Sequence, residues 1–258
     1  MTEPPPDPTT THRLFEHDRV AAGYASARPF LHPEVFARVR DLIRVPEPVH
    51  RALDVGCGTG MSSVALLDLA REVTGVDVSV PMLLRARRAE RVHYLASTAE
   101  DLPFRDGSFD LIAACGSIDW VDRERFLPRA AELLVGGGWL VPLDFGDAGR
   151  SSDMPGLQRW HEEVLRPAFP APASPDPMVG SDEAARFGFG EPAHHTFESR
   201  LSFTAPGYAD FLMTESAIIA AVEYGEQSAE EIRGWLEAEL AGLFQGVTRA
   251  VTFGGYVQ

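Results

Sequence analysis

The chain has 258 residues, 45% of them hydrophobic, and a formal net charge of −15. The apolar fraction is enough for a sizeable core and excludes a wholly disordered chain. The excess of acidic residues argues against nucleic acid as a partner, because phosphate contacts need clustered Lys and Arg. The sequence contains no lysine, which excludes Schiff-base chemistry and a P-loop lysine.

The N-terminal segment divides into a tail and two helices. Residues 1–11 are acidic and proline-rich without an apolar stretch, so we expect a disordered tail rather than a signal peptide. Apolar residues then recur at helical spacing up to Val45, interrupted by the two prolines of "RPFLHP". This pattern predicts two short helices, and residues 12–50 are interpreted as a helical lid.

Strands and helices alternate from Arg51 to Phe145, which predicts parallel βαβ units in a sheet covered on both faces. After this segment the pattern predicts helices near Gly207–Tyr224 and Ala229–Leu243, with strands in "HTFESRLSF" and "TRAVTFGGYV". We therefore expect one domain over residues 12–258. Residues 51–145 form its ligand-binding core, and residues 146–258 form an insertion on the substrate side followed by the C-terminal strands.

A glycine-rich turn follows the first predicted strand in "ALDVGCGTGMS". Gly56, Gly58 and Gly60 let the backbone approach a ligand closely. The dinucleotide fingerprint needs a glycine where this chain has Met61. Asp54 just before the loop favours an ammonium group over a pyrophosphate, so the loop suits a zwitterionic or cationic ligand.

Asp77 ends the second strand, 21 residues after Gly56. A carboxylate at this place can accept hydrogen bonds from the two hydroxyls of a ribose. The alternative is structural, with Asp77 or Ser79 capping the next helix. The loop-to-acid spacing favours the ribose interpretation.

Three stretches together resemble the class I S-adenosylmethionine-dependent methyltransferases: "LDVGCGTG", "VTGVDVS" and "AEDLPFRDGSFDLI". The nearest subgroup is that of the type-11, trans-aconitate-like small-molecule enzymes, because "FEHDRVAAGYASARPF" is similar to their N-terminal pattern. The resemblance implies a doubly wound, seven-stranded, mostly parallel α/β sheet of the Rossmann-like kind. It also implies a helical lid and a C-terminal antiparallel strand.

The resemblance further implies S-adenosyl-L-methionine as cofactor and S-adenosyl-L-homocysteine as product. Asp54 and the loop would face the methionine amino group, Asp77 the ribose, and Arg28 the methionine carboxylate. Val78 and Met82 would lie near adenine, and Ala99 and Asp101 at its edge. The cofactor-binding set implied in this way is Tyr24, Arg28, Asp54, Gly56, Cys57, Gly58, Gly60, Asp77, Val78, Met82, Ala99, Glu100, Asp101, Cys115 and Trp120.

Three residues are candidates for catalysis, each with a structural alternative. Asp119 in "GSIDWV" is a base or substrate-orienting group, or else caps the helix near Asp122. His194 and His195 form a pair suited to a general base, or are plain surface residues. No third ligand accompanies the histidines at useful spacing, so no metal is expected.

The function expected from these observations is methyl transfer to a small-molecule acceptor. Two alternatives stay open: an S-adenosylmethionine enzyme of the cyclase or lyase type, and a non-catalytic cofactor-binding partner. Cys57 and Cys115 show neither metal spacing nor a disulfide framework, which indicates a reducing compartment, so we expect a cytoplasmic protein. We also expect a monomer or homodimer without membrane contact. Aromatic residues outside the cofactor motifs are candidates for acceptor contact: Phe30, Trp160, Phe169, Tyr208, Phe211 and Tyr224.

Overall fold

The computed structural model describes residues 12–45, 47–171 and 176–258. The predicted disordered tail, residues 1–11, lies outside the described residues. Seven strands are present in the described part, and they form one sheet in the order β3-β2-β1-β4-β5-β7-β6. Their bounds are β1 Val49–Val55, β2 Ala70–Asp77, β3 Val92–Ala96, β4 Phe109–Cys115, β5 Leu134–Arg150, β6 His195–Phe203 and β7 Arg249–Val257.

Four strand pairs in the described part are parallel: β1 with β2, β1 with β4, β2 with β3, and β4 with β5. Strand β7 runs against β5: the Gln258 N–H donates to the Pro142 carbonyl at 2.8 Å, and the Ser151 hydroxyl donates to the Ala250 carbonyl at 2.5 Å. As β5 advances, its partner position in β7 moves back along the chain. The predicted seven-stranded, mostly parallel sheet with a C-terminal antiparallel strand is confirmed.

Eleven α-helices occur in the described residues. Their bounds are α1 Asp18–Ala27, α2 His32–Ile43, α3 Met61–Ala65, α4 Val80–Leu84, α5 Arg123–Leu133, α6 Gly156–Trp160, α7 Arg166–Ala168, α8 Ser181–Arg186, α9 Ala205–Leu212, α10 Ser216–Tyr224 and α11 Ala229–Phe244. Three short 3₁₀ turns, His12–Glu16, Leu66–Asp68 and Ile118–Trp120, and one π-helical turn, His161–Leu165, complete the helical structure. The two predicted N-terminal helices are confirmed as α1 and α2.

The single helix expected over Gly207–Tyr224 is wrong, because it is two helices, α9 and α10. Glu215 has extended backbone angles, φ −76° and ψ 137°, and occupies the N-cap of α10. The Thr214 hydroxyl donates to the Phe211 carbonyl at 2.6 Å, so it satisfies a carbonyl at the end of α9. Ser and Thr hydroxyls that bond to the backbone in this way compete with helix continuation.

The chain divides into two compact units. The first, which we call the glycine-loop unit, combines Phe30–Asp144, Ser174–His195 and Tyr256–Gln258. Its core packs apolar residues of β1, β2 and β4 with one face of α5, where Phe126, Leu127, Ala130 and Leu133 recur at helical spacing.

The second, which we call the C-terminal-helix unit, combines Met1–Pro29, Phe145–Ala173 and Thr196–Gly255. Its core is aromatic. Phe203 stacks on Phe253 with ring centroids 5.9 Å apart, and Tyr208 packs against Phe211 and Phe244. No helix in the described residues is both long enough and apolar enough to cross a membrane.

Candidate cofactor-binding site

The glycine loop connects the end of β1 to the start of α3. Gly56 has φ +70°, and a Cβ placed on it would lie 2.5 Å from the Cβ of Ser117. Ser117 is held there because its hydroxyl donates to the Val55 carbonyl at 2.6 Å. Only glycine therefore fits at the first position of the loop, where the ends of β1 and β4 meet.

Gly58 differs from Gly56 because a Cβ placed on it would meet no atom within 4 Å. Its φ is +51°, and its N–H donates to Asp77 Oδ2 at 2.7 Å. Open space beside a left-handed glycine leaves room for a ligand to approach the backbone. Gly60 ends the loop at the N-cap of α3, and its N–H donates to the Cys57 carbonyl at 2.8 Å.

Asp77 bridges two backbone segments at the end of β2. Besides the bond from Gly58, its Oδ1 accepts from the Ser79 N–H at 2.8 Å. Burial raises the pKa of this carboxyl above 3.8, while the two backbone donors oppose the rise. Ser79 is the N-cap of α4, its hydroxyl accepting from the Met82 N–H at 3.3 Å. Ser79, rather than Asp77, therefore caps α4. Asp77 stays a candidate for binding ribose.

Asp54 is fully buried under the loop. Its Oδ2 accepts hydrogen bonds from the hydroxyls of Ser62 at 2.7 Å and Ser63 at 2.5 Å. Its Oδ1 has no hydrogen-bond partner among the described residues. Burial raises the pKa of the carboxyl from 3.8 to about 6, against the lowering effect of the two serines. A cationic ligand group beside this oxygen would offset the cost of burying the charge.

Cys57 is buried, and burial holds the pKa of its thiol well above 9.0. The thiol packs against Gly75 of β2, where an added Cβ would lie 2.9 Å from the sulfur. Its N–H donates to the Val76 carbonyl at 3.0 Å. The side chain of Cys57 thus packs the glycine loop against β2.

The residues predicted near adenine differ in accessibility. Val78 is 47% exposed, whereas Met82 is 2% exposed and Ala99 is also buried. Glu100 holds the start of α5, since its Oε1 accepts from the Asp122 N–H at 2.8 Å. Asp101 is exposed. Of this group, Val78 and Asp101 have exposed side chains, and their contact with adenine stays a prediction.

Cys115, Asp119 and Trp120 follow β4 and are all half-buried. Asp119 lies in the 3₁₀ turn Ile118–Trp120, and the N-cap of α5 is Asp122, whose carboxylate accepts from the Glu124 N–H at 3.1 Å. The interpretation of Asp119 as the cap of that helix is therefore wrong.

His194 and His195 are exposed at the start of β6. The His194 ring packs edge-on against the ring of Tyr256, with centroids 6.0 Å apart. In the described part of the chain, no three His, Cys, Asp or Glu residues are grouped so that they could hold a metal ion. A role for either histidine in catalysis stays a prediction.

Tyr24 and Arg28 belong to the C-terminal-helix unit, where Arg28 already has several contacts. Its guanidinium donates to the Thr214 carbonyl at 3.0 Å and to the Tyr24 hydroxyl at 3.1 Å. It also forms an ion pair with Glu215 at 3.3 Å and lies 4.7 Å from the centroid of the Tyr24 ring. Pairing of Arg28 with a ligand carboxylate stays a prediction.

Sequence reasoning missed two polar residues beside the carboxyl end of β4: Asp144 within β5 and Tyr256 near the end of β7. The acidic residue directly after the apolar run "GGWLVPL" is a signal for Asp144, because such a run predicts a strand and ligands of open α/β sheets bind at the carboxyl ends of the strands. No comparable signal marks Tyr256, because only the antiparallel pairing of β5 with β7 brings it to this place.

The comparisons with known proteins agree with this geometry. Residues 53–141 match the family model described as a methyltransferase domain. An O-methyltransferase of Aspergillus nomiae is 37% identical over 131 residues, 47% of this chain and 58% of that protein. The demethylmenaquinone methyltransferase of Thermus thermophilus is 39% identical over 103 residues, 37% of this chain and 47% of that protein. The matches span about half the length of the first curated relatives.

A solved structure described as a type II methyltransferase from Anaeromyxobacter dehalogenans superposes with a TM-score of 0.64. The two share 21% identity, and the superposition covers 86% of this chain and 92% of that one, which shows a common fold. Residues 53–141 are therefore similar to methyltransferase domains, which agrees with the resemblance found in the sequence.

Proposed function

We propose that the chain is an S-adenosylmethionine-dependent methyltransferase that acts on a small-molecule acceptor. The observation that carries the proposal is the buried Asp54 Oδ1, which lacks a partner in the described residues beneath a glycine loop that is open at Gly58. A carboxylate oxygen in this position suits the ammonium group of the cofactor's methionine part. Asp77, already fixed by two backbone donors, keeps lone pairs for the two ribose hydroxyls.

When bound, S-adenosylmethionine supplies a methyl group on a sulfonium: the carbon–sulfur bond breaks with its electron pair on sulfur, the acceptor's lone pair forms the new bond, and the acceptor's proton leaves. The protein's contribution is to bind both partners, orient them and exclude water. Such a reaction needs no triad or metal from the chain.

Burial reduces the number of aromatic residues that are accessible to an acceptor. Trp160, Phe169, Tyr208 and Phe211 are buried, whereas Phe30 and Tyr224 are exposed. The Phe30 ring in the glycine-loop unit lies under the guanidinium of Arg87, 4.2 Å from ring centroid to Cζ. We propose that Phe30 and Tyr224, each within its own unit, are more accessible to an acceptor than the four buried aromatic residues. Location in the cytoplasm and the monomeric or dimeric state stay predictions.

The test is incubation of the protein with S-adenosylmethionine carrying a labelled methyl group, across a panel of metabolites, followed by mass spectrometry. Labelled product together with S-adenosylhomocysteine supports the proposal. Cleavage or cyclisation of the cofactor without label transfer would indicate the cyclase or lyase alternative. Tight binding of the cofactor without any turnover across the panel would indicate a non-catalytic partner protein.

A further inference from the structure

A second polar site lies beside the carboxyl end of β4, where Asp144 within β5 and Tyr256 near the end of β7 are neighbours. The Gln258–Pro142 hydrogen bond sets the antiparallel register, which places Tyr256 opposite Asp144 across the two strands. Residues opposite each other in antiparallel strands point to the same face of the sheet. Tyr256 and Asp144 are therefore neighbours on one face.

The Asp144 carboxylate reaches over the end of β4. A Cβ placed on Gly116 would lie 3.0 Å from Asp144 Oδ1, so the absence of a side chain there makes room for this oxygen. Gly116 is exposed, and Asp119 and Asp144 are half-buried, so solvent reaches this end of the sheet. The site thus lies beside Cys115, which belongs to the cofactor-binding set that the family resemblance implies.

The Tyr256 hydroxyl is buried and has no hydrogen-bond partner among the described residues. A buried hydroxyl without a partner is costly, and phenylalanine would supply the same ring without that cost. Burial raises the pKa of this phenol above 10.0, and the nearby carboxyls of Asp144 and Asp119 raise it further. The hydroxyl therefore stays protonated at neutral pH and can donate a hydrogen bond.

The charges around this hydroxyl select the kind of ligand. Asp144, Asp119 and Asp176 all act on it electrostatically and all carry negative charge when ionised. A carboxylate or phosphate on the ligand would be repelled here. An alcohol, phenol or amine can accept from the Tyr256 hydroxyl and donate its own hydrogen to a carboxylate oxygen.

We propose that Tyr256 and Asp144 form the subsite that positions the methyl acceptor, and that they select an acceptor whose reacting group is a hydroxyl or an amine rather than a carboxylate. This inference rests on the proposed function, since it assigns the acceptor end of the same site. Tyr256 is a positioning residue, with the phenol as donor and Asp144 as the matching hydrogen-bond acceptor.

The experiment uses the full chain with ¹³C-labelled tyrosine rings, saturated with S-adenosylhomocysteine. With five tyrosines in the sequence, the Tyr256 ring signal is assigned by its loss in Tyr256→Phe. Phenol and benzoate are then titrated, because they share a ring and differ in the group of interest. We expect phenol to shift the Tyr256 signal in a saturable manner, with benzoate at least about tenfold weaker.

Three variants separate a binding role from a structural one. Asp144→Asn should weaken the response to phenol, whereas Tyr94→Phe should preserve it. Tyr94 also makes the matched control for stability, since its hydroxyl donates to the Arg87 carbonyl at 2.6 Å. Tyr94→Phe should lower Tm, by roughly 2–4 °C for each kcal/mol of unfolding free energy that the lost hydrogen bond contributed. Tyr256→Phe should leave Tm unchanged or raise it, because its hydroxyl has no partner to lose among the described residues.

The outcomes divide the two proposals. Failure of S-adenosylhomocysteine to bind would overturn the proposed function whatever phenol does. Binding of S-adenosylhomocysteine without a phenol response at Tyr256, or with benzoate as the stronger ligand, would overturn the acceptor subsite alone. A clear fall in Tm for Tyr256→Phe would also overturn it, because the hydroxyl would then have a structural partner.

Discussion

The Asp77 carboxylate accepts a hydrogen bond from the backbone N–H of Gly58 at 2.7 Å, which ties the end of β2 to the loop that follows β1. The same side chain therefore shapes the glycine loop and carries the oxygens proposed to bind ribose. Loss of this carboxylate should therefore weaken ligand binding in two ways, by disturbing the glycine loop and by removing the proposed contacts with ribose.

Replacing Asp77 with alanine should weaken S-adenosylhomocysteine binding on the order of 100-fold, because two hydrogen bonds to a charged group are lost. Isothermal titration calorimetry measures the change. The matched control is Asp101→Asn, which alters an exposed carboxylate at the adenine edge and should cost less than about tenfold. An Asp77→Ala protein that binds within about threefold of the wild type would contradict the ribose assignment.

The contribution of Asp54 to the free energy of unfolding without ligand should fall as pH rises from about 4 to about 6. Asp54 has a pKa of about 6 when folded against 3.8 for the free side chain, so in this window the folded protein holds a proton that the unfolded chain has released. The difference amounts to roughly 3 kcal/mol at most. Urea unfolding of the wild type and of Asp54→Asn at pH 4.5 and 7.5 measures this contribution. Equal pH dependence of the unfolding free energy in the two proteins would contradict the prediction.

Binding of S-adenosylhomocysteine should release a proton from Asp54 near pH 6, because the ligand's ammonium group favours the ionised carboxylate. Affinity should therefore increase as pH rises from 5 to 7. Calorimetry in buffers of different ionisation enthalpy detects the released proton. Methylthioadenosine, which lacks the amino-acid part and its ammonium group, should bind without this pH dependence. Binding of S-adenosylhomocysteine to Asp54→Asn should likewise lack it. A proton release that persists with methylthioadenosine would point to another group.

Alanine at two positions of the glycine loop should have different effects. Gly56→Ala drives a Cβ to 2.5 Å from the Ser117 Cβ, so we expect a clear loss of stability. Gly58→Ala meets no protein atom, so its stability cost is limited to backbone strain of roughly 1–2 kcal/mol, and the larger loss should be in S-adenosylhomocysteine affinity. Denaturation and calorimetry on both variants compare them. Unchanged affinity in Gly58→Ala would show that the ligand does not approach this residue.

Tyr208→Phe should destabilise the C-terminal-helix unit by roughly 1–3 kcal/mol. The buried Tyr208 hydroxyl donates to Asp147, and its oxygen lies 2.7 Å from His161 Nε2. Burial holds the pKa of Tyr208 well above 10.0, with the Asp147 charge adding to the shift, so the phenol stays a donor. Its removal leaves two buried polar groups with one fewer partner. The control is Tyr224→Phe, which changes a tyrosine that is 49% exposed and should cost less stability. Equal stability of the two variants would contradict the prediction.

Local patterns in the sequence were sufficient for much of the fold. The alternation of strands and helices, the glycines of the turn and the spacing to Asp77 depend on neighbouring residues, and each was read from a short window. Helix ends were less accurate. Helix α3 already stops at Ala65, and a 3₁₀ turn leads into β2 at Ala70, which the alternation of strands and helices does not mark.

By itself the sequence determined the fold class, the loop and its acidic neighbours, because hydrophobic periodicity and glycine geometry act over a few residues. Only the tertiary structure decided that Ser117 excludes a side chain at Gly56 and that Asp54 is left with one oxygen unpaired. The same holds for Tyr256 beside Asp144, two residues more than a hundred positions apart. Strand register and burial bring these groups together, and both depend on the packing of the whole sheet rather than on any local pattern.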